Sequence, residues 1–136
     1  IDSIVLNLQQ GRRYYCGKNL TEWPSDYFNG GGCFNNDPGD AIAFGYGPCP
    51  ANNCDNVIYR HWTNPSNNNG SIQVWREVST GNDFIDITAP EINIKTFGVY
   101  VVQNDGRALL TITGEVNGNM DTATKFNFET TVYGQL

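Results

Sequence analysis

Lys95-Thr96-Phe97-Gly98-Val99-Tyr100-Val101-Val102, Arg107-Ala108-Leu109-Leu110-Thr111-Ile112-Thr113-Gly114-Glu115-Val116 and Lys125-Phe126-Asn127-Phe128-Glu129-Thr130-Thr131-Val132 are three runs in which apolar and polar residues alternate with period two. Successive side chains of a strand point to opposite faces, so each run reads as a half-buried strand. Phe97, Val99 and Val101 share one face of the first. Ala108, Leu110, Ile112 and Val116 share one face of the second, and Phe126, Phe128 and Val132 one face of the third. Asn104-Asp105-Gly106 joins the first two, and Asp-Gly supplies the positive-φ residues of a tight hairpin. Asn117-Gly118-Asn119 opens the connection to the third. The last third of the chain is thus an antiparallel meander with one apolar face that something must cover.

The start of the chain offers a cover. Ile1, Ile4, Val5 and Leu8 fall at i, i+3, i+4 and i+7, the stripe of an amphipathic helix. Gln9 to Tyr15 can continue it, Arg12 and Arg13 suit a helix C-terminus, and Gly17 suits the residue just beyond. No capping residue precedes Ile1, so the helix is expected to begin upstream, and the sequence holds no signal peptide or membrane span. The fold class expected is α+β, with an N-terminal α-helix packed on an antiparallel β-sheet. Ile1, Ile4, Val5 and Leu8 are the expected helix–sheet contacts.

A chain of 136 residues is most simply one domain. Three regions are expected: the end of a helix over 1–15, an irregular disulfide-bearing region over 16–56, and antiparallel strands over 57–136. Within the irregular region Asn29-Gly30-Gly31-Gly32 and Asn35-Asn36-Asp37-Pro38-Gly39 are strong breakers, while Ala41 to Tyr46 alternates and reads as a strand. Val57 to Trp62 and Ser71 to Val78 read as a second hairpin around a polar loop, Thr63 to Gly70.

With 8 basic and 14 acidic residues the net charge is −6, which argues against a nucleic-acid partner, since phosphate binding needs clustered Lys and Arg. Four cysteines in a short Gly- and Asn-rich chain favour disulfides and an oxidising compartment. Three pairings are open. Cys16–Cys33 with Cys49–Cys54 is favoured because both join sequence neighbours across breaker-rich loops. A zinc site competes, but zinc wants two close ligand pairs and only Cys49 and Cys54 are close.

His61 is the only histidine, and between Arg60 and Trp62 on a strand it reads as structural. No nucleophile elbow, phosphate loop or zinc-protease motif is present, and the carboxylate pairs Asp83/Asp86 and Glu77/Glu91 read as surface charge. No enzymatic activity and no cofactor are expected. Asn117, Asn119 and Asp121 place oxygen ligands at alternate positions, as a calcium loop does, although Asn, Asp and Gly are equally ordinary turn residues. Trp23, Trp62 and Trp75, with seven Tyr, could form a sugar-stacking platform or fill a core. Asn19-Leu20-Thr21 and Asn69-Gly70-Ser71 are N-glycosylation triplets.

Thr88-Ala89-Pro90-Glu91-Ile92-Asn93-Ile94 followed by Phe97-Gly98-Val99-Tyr100-Val101 resembles a segment of the type IV pilin-like proteins, the pseudopilins and minor pilins with a prepilin-type N-terminus. Leu110 to Gly114 and Phe126 to Val132 are similar to that family's later strands, and Ile1 to Arg12 to the lower half of its N-terminal helix. Glu129 stands where the family usually has Gln, and Tyr133-Gly134 where it has Ser-Gln. The resemblance covers about half of the chain and leaves 17–79 aside. It implies a helix-on-sheet, pilin-like domain with no active site. The implied role is a structural subunit of a bacterial type IV pilus or type II secretion pseudopilus, mediating assembly and adhesion. The implied partners are other pilin or pseudopilin subunits, with an apolar half-helix in the inner membrane before assembly. The implied location is periplasm or cell surface. The runner-up is an extracellular carbohydrate-binding β-domain.

Overall fold

The computed structural model describes residues 2–17, 33, 38–46, 55–76, 83–102, 107–116 and 124–134. It corrects the expected α+β class. Among the described residues, strand and bridge positions make up 71%, arranged as two antiparallel sheets, with one short helix. The helix α1 spans Asp2–Gln9. Instead of continuing to Tyr15, the chain turns at Gln10 and enters strand β1, Gly11–Gly17.

The physical reason for that switch is visible in β1. Tyr14 and Cys16 are buried and Tyr15 between them is half-buried on the other face, a strand's alternation. The strand pairs antiparallel with β2, Ala41–Tyr46, from Gly11 opposite Tyr46 to Gly17 opposite Ala41. A Cβ on Gly11 would stand 2.4 Å from the Phe44 ring, so glycine lets the chain cross that side chain closely. Helical propensity in the Arg-Arg-Tyr-Tyr run is overridden by pairing with a strand some thirty residues later, a tertiary effect.

β2 continues into β3, Asp55–Thr63, and β4, Gly70–Arg76, closed by the two-residue β5, Ile85–Asp86. These form one five-stranded sheet in the order β1-β2-β3-β4-β5. The second sheet is the meander of β6, Ile92–Val102, β7, Arg107–Val116, and β8, Thr124–Tyr133. What covers the meander is therefore mainly another sheet, and only in part a helix.

One core spans both sheets. The five-stranded sheet contributes Tyr14, Ile42, Phe44, Val57, Tyr59 and Ile72, and the meander contributes Phe97, Val99, Leu110, Ile112 and Val132. Ile4 and Leu8 of α1 belong to the same core. The opposite face of the five-stranded sheet carries a second cluster of Ala41, Ala43, Ile58 and Trp75, with Tyr15 and Phe84 against it. β2 is thus buried on both faces, with Ile42 and Phe44 on one and Ala41 and Ala43 on the other.

Two junctions join the layers. At the first, Gly39 and Val99 exchange backbone hydrogen bonds, both 2.8 Å, while Asp40 donates to the Gly17 carbonyl and accepts from His61 N–H. At the second, β6 carries a bulge between Ile94 and Thr96. His61 Nε2–H donates to the Ile94 carbonyl at 2.8 Å, and Gly70 N–H donates to Asn93 Oδ1 at 2.7 Å. A Cβ on Gly70 would stand 1.9 Å from the Ile94 oxygen, so only glycine lets the bulged strand this close.

Candidate functional site

The helix–sheet contacts come first. Ile4 and Leu8 are buried, Val5 is half-buried against the same core, and Ile1 lies outside the described residues. Leu6 faces away and is 55% exposed, a large apolar side chain that the domain itself does not use. Asn7 Nδ2 donates to the Tyr59 hydroxyl at 2.9 Å, and the Tyr14 hydroxyl donates to the Leu8 carbonyl. That second bond satisfies a carbonyl in the last turn of a helix, which has no intrahelical partner. Burial pushes the Tyr14 phenol up to about 12. Among the described residues no helix is long and apolar enough to cross a membrane.

The Cys16–Cys33 disulfide is present, with a Cα–Cα distance of 6.2 Å. It ties the end of β1 to the corner at Gly39, where a Cβ would meet the Cys33 sulfur at 2.6 Å. Cys49 and Cys54 lie outside the described residues, as do the calcium candidates Asn117, Asn119 and Asp121. Among the described residues no three of His, Cys, Asp and Glu are grouped as metal ligands.

Other singled-out residues have structural partners. His61 braces β3 to β6 through the Ile94 carbonyl. Asn69 of the glycosylation triplet donates to the Ile92 carbonyl at 3.2 Å, and Ser71 of the same triplet is buried. Trp75 is buried, so it offers no open ring face for stacking on a sugar; Trp62 is half-buried, and Trp23 lies outside the described residues.

A polar network that the sequence does not announce lies across β3, β4 and β5. Arg60 donates to Gln73 Oε1 from Nε at 2.9 Å and from Nη2 at 2.7 Å. Gln73 Nε2 donates to Asp86 Oδ1 at 2.8 Å, and Ser71 Oγ donates to the same oxygen at 2.9 Å. The Phe84 ring lies 3.7 Å over the guanidinium. Arg60 and Gln73 are buried, so the neutral amide bridges a buried cation and an exposed carboxylate by hydrogen bonds. The register sets this: Arg60 opposite Gln73, and Gln73 opposite Asp86. Arg60 and Gln73 spend these groups on each other and on Asp86, so the network fixes β5 to the sheet.

Of the segments that carry the family resemblance, the N-terminal one is split between α1 and the start of β1, and the three later ones end up in one sheet. They form β6, β7 and β8, whose outward face holds Thr111, Thr113, Glu115, Lys125, Asn127 and Glu129. Comparison with protein-family models, with curated proteins and with solved structures returns no match for this chain.

Proposed function

We propose that this domain is the globular, extracytoplasmic part of a structural subunit of a type IV pilus or a type II secretion pseudopilus. The observation that carries the proposal is the three-stranded sheet: the three later segments that resemble the pilin-like family become its neighbouring strands, apolar positions inward, whereas the N-terminal segment forms only the short helix α1 and the start of β1. Leu6 adds to it, an apolar side chain on α1 pointing away from the core. The Cys16–Cys33 disulfide supports an oxidising compartment, periplasm or cell surface. The partners proposed are other pilin or pseudopilin subunits. The inner membrane and the filament core would be reached through residues N-terminal to α1, while α1 itself belongs to the β-domain.

A second reading, an extracellular carbohydrate-binding domain, is favoured by the two-sheet β architecture and weakened by the withdrawal of Trp75 into the fold. The two separate in one experiment. Cells that make the protein are sheared and the protein is followed with an antibody against the folded domain, while the pure domain is applied to a glycan array. Recovery with sheared filaments, lost when the prepilin peptidase is inactivated, is the expected result. Glycan binding by a protein that never fractionates with filaments would replace the proposal by the second reading.

A further inference from the structure

β8 ends its sheet. β7 lies on one side of it, and among the described residues no strand pairs with the other side. Among the described residues, no backbone hydrogen bond outside the paired strands involves residues 124–133. Phe126 and Phe128 point to the inner face, opposite Gly114 and Ile112, yet are only half-buried. α1 packs near β8, yet an edge left without a described strand partner, beside two incompletely covered aromatics, invites another strand.

The sequence of that edge specifies which strand. Thr124-Lys125-Phe126-Asn127-Phe128-Glu129-Thr130 reads the same from either end except at Lys125 and Glu129, which are opposite charges. We propose that β8 is an interface for a second copy of this chain, paired antiparallel about a two-fold axis through Asn127. Residues directly opposite in antiparallel strands share a face of the sheet. Lys125 then lies opposite Glu129 of the second copy, and the reverse pair repeats it across the axis. Phe126 meets Phe128 of the second copy, twice, on the inner face. Thr124 meets Thr130, and Asn127 meets itself. The two meanders become one six-stranded sheet, and each surface contacts its own image, as a closed two-fold dimer requires.

Other alignments lose these matches. A shift by two residues sets Lys125 opposite Asn127 or Thr131 and leaves the charges unmatched. A shift by one turns the phenylalanines toward the wrong face. Parallel in-register pairing brings like charges together. Charges on an edge ordinarily guard it against stray strands. Here their spacing guards against strangers and admits a copy. On the outer face Glu115, in register with Lys125, extends the row to Glu115, Lys125 and then Glu129 of the second copy. The inference is independent of the filament proposal and can fail without it.

Sedimentation equilibrium of the whole chain tests it, with folding checked by circular dichroism. The expected result is a monomer–dimer equilibrium with a limiting mass twice the 15.1 kDa of one chain. Lys125→Glu or Glu129→Lys alone sets like charges opposite each other twice and should weaken association tenfold or more. The double variant K125E/E129K should restore it. Separately, Asn127→Cys should form an intermolecular disulfide under mild oxidation, because self-opposed residues bring their Cα atoms within disulfide reach. A chain that stays monomeric at millimolar concentration overturns the proposal. So does a dimer indifferent to the single reversals, a double variant that stays weak, or an Asn127→Cys protein that does not cross-link. Should a reversal variant unfold, the Asn127→Cys arm decides.

Discussion

Tyr14 shows how one residue couples sequence, packing and pH. Its ring packs edge-on against Phe44, with centroids 6.3 Å apart at 74°, while its hydroxyl reaches back to the Leu8 carbonyl. The neutral phenol is the form that fits this site, and burial raises its pKa from 10.0 to about 12. The folded state therefore holds its proton to higher pH than the unfolded chain does. The group's stabilising contribution is complete below about pH 10 and is lost as pH rises toward about 12. Denaturant melts of wild type should show falling stability across that window, and a Tyr14→Phe variant a shallower fall. At neutral pH that variant should be weaker by about 1 kcal/mol, the worth of a typical hydrogen bond. A Tyr14→Phe protein with the wild-type slope and midpoint would remove the hydroxyl from the account. Little of this was legible beforehand: the Arg-Arg-Tyr-Tyr run fits a helix as readily as a strand, and only Ala41–Tyr46 beside it decides.

At the scale of elements, the strands with one wet face were legible nearly to their ends. β7 begins and ends where its alternation does, at Arg107 and Val116, and β6 and β8 extend their expected runs by only a few residues. Val116, expected inside, is 38% exposed because it lies at the strand's end. The helix stripe was legible, but its end was not. Ala41 to Tyr46 and the hairpin of Val57 to Trp62 with Ser71 to Val78 were legible as strands too, but that β1 to β4 form the layer over the meander was hidden, because β1 read as the end of a helix and alternation does not say which sheet a strand joins. The Arg60–Gln73–Asp86 network was hidden too, since it depends on the register of three strands. The helix itself gives a contrast within two residues. Leu8 is fully buried and Leu6 is 55% exposed. Leu8→Ala should cost about 2–5 kcal/mol, and Leu6→Ala should stay within about 0.5 kcal/mol in the isolated domain. Thermal melts of the two variants check this, and equal midpoints would dismiss the packing of α1.

At the scale of the whole molecule, two sheets and a short helix share one core, pinned at the Gly39 corner and at the β6 bulge. The Cys16–Cys33 bond holds the first of these and closes a loop of sequence separation 17. By the chain-entropy account such a loop contributes about 3 kcal/mol. A Cys16→Ser/Cys33→Ser variant should lose stability of that order in urea while keeping its far-ultraviolet spectrum; wild-type stability without the bond would show that the corner holds by its hydrogen bonds alone. The central claim is that the domain serves as a filament subunit, with Leu6 on the outward side of α1 as a place where a neighbouring subunit sits. Its most direct test is a photo-reactive amino acid at Leu6 in cells that assemble the protein, irradiated before shearing. Adducts with another pilin or pseudopilin subunit in the sheared filaments are the predicted result. A protein present at the surface that yields no adduct with any such subunit would contradict it.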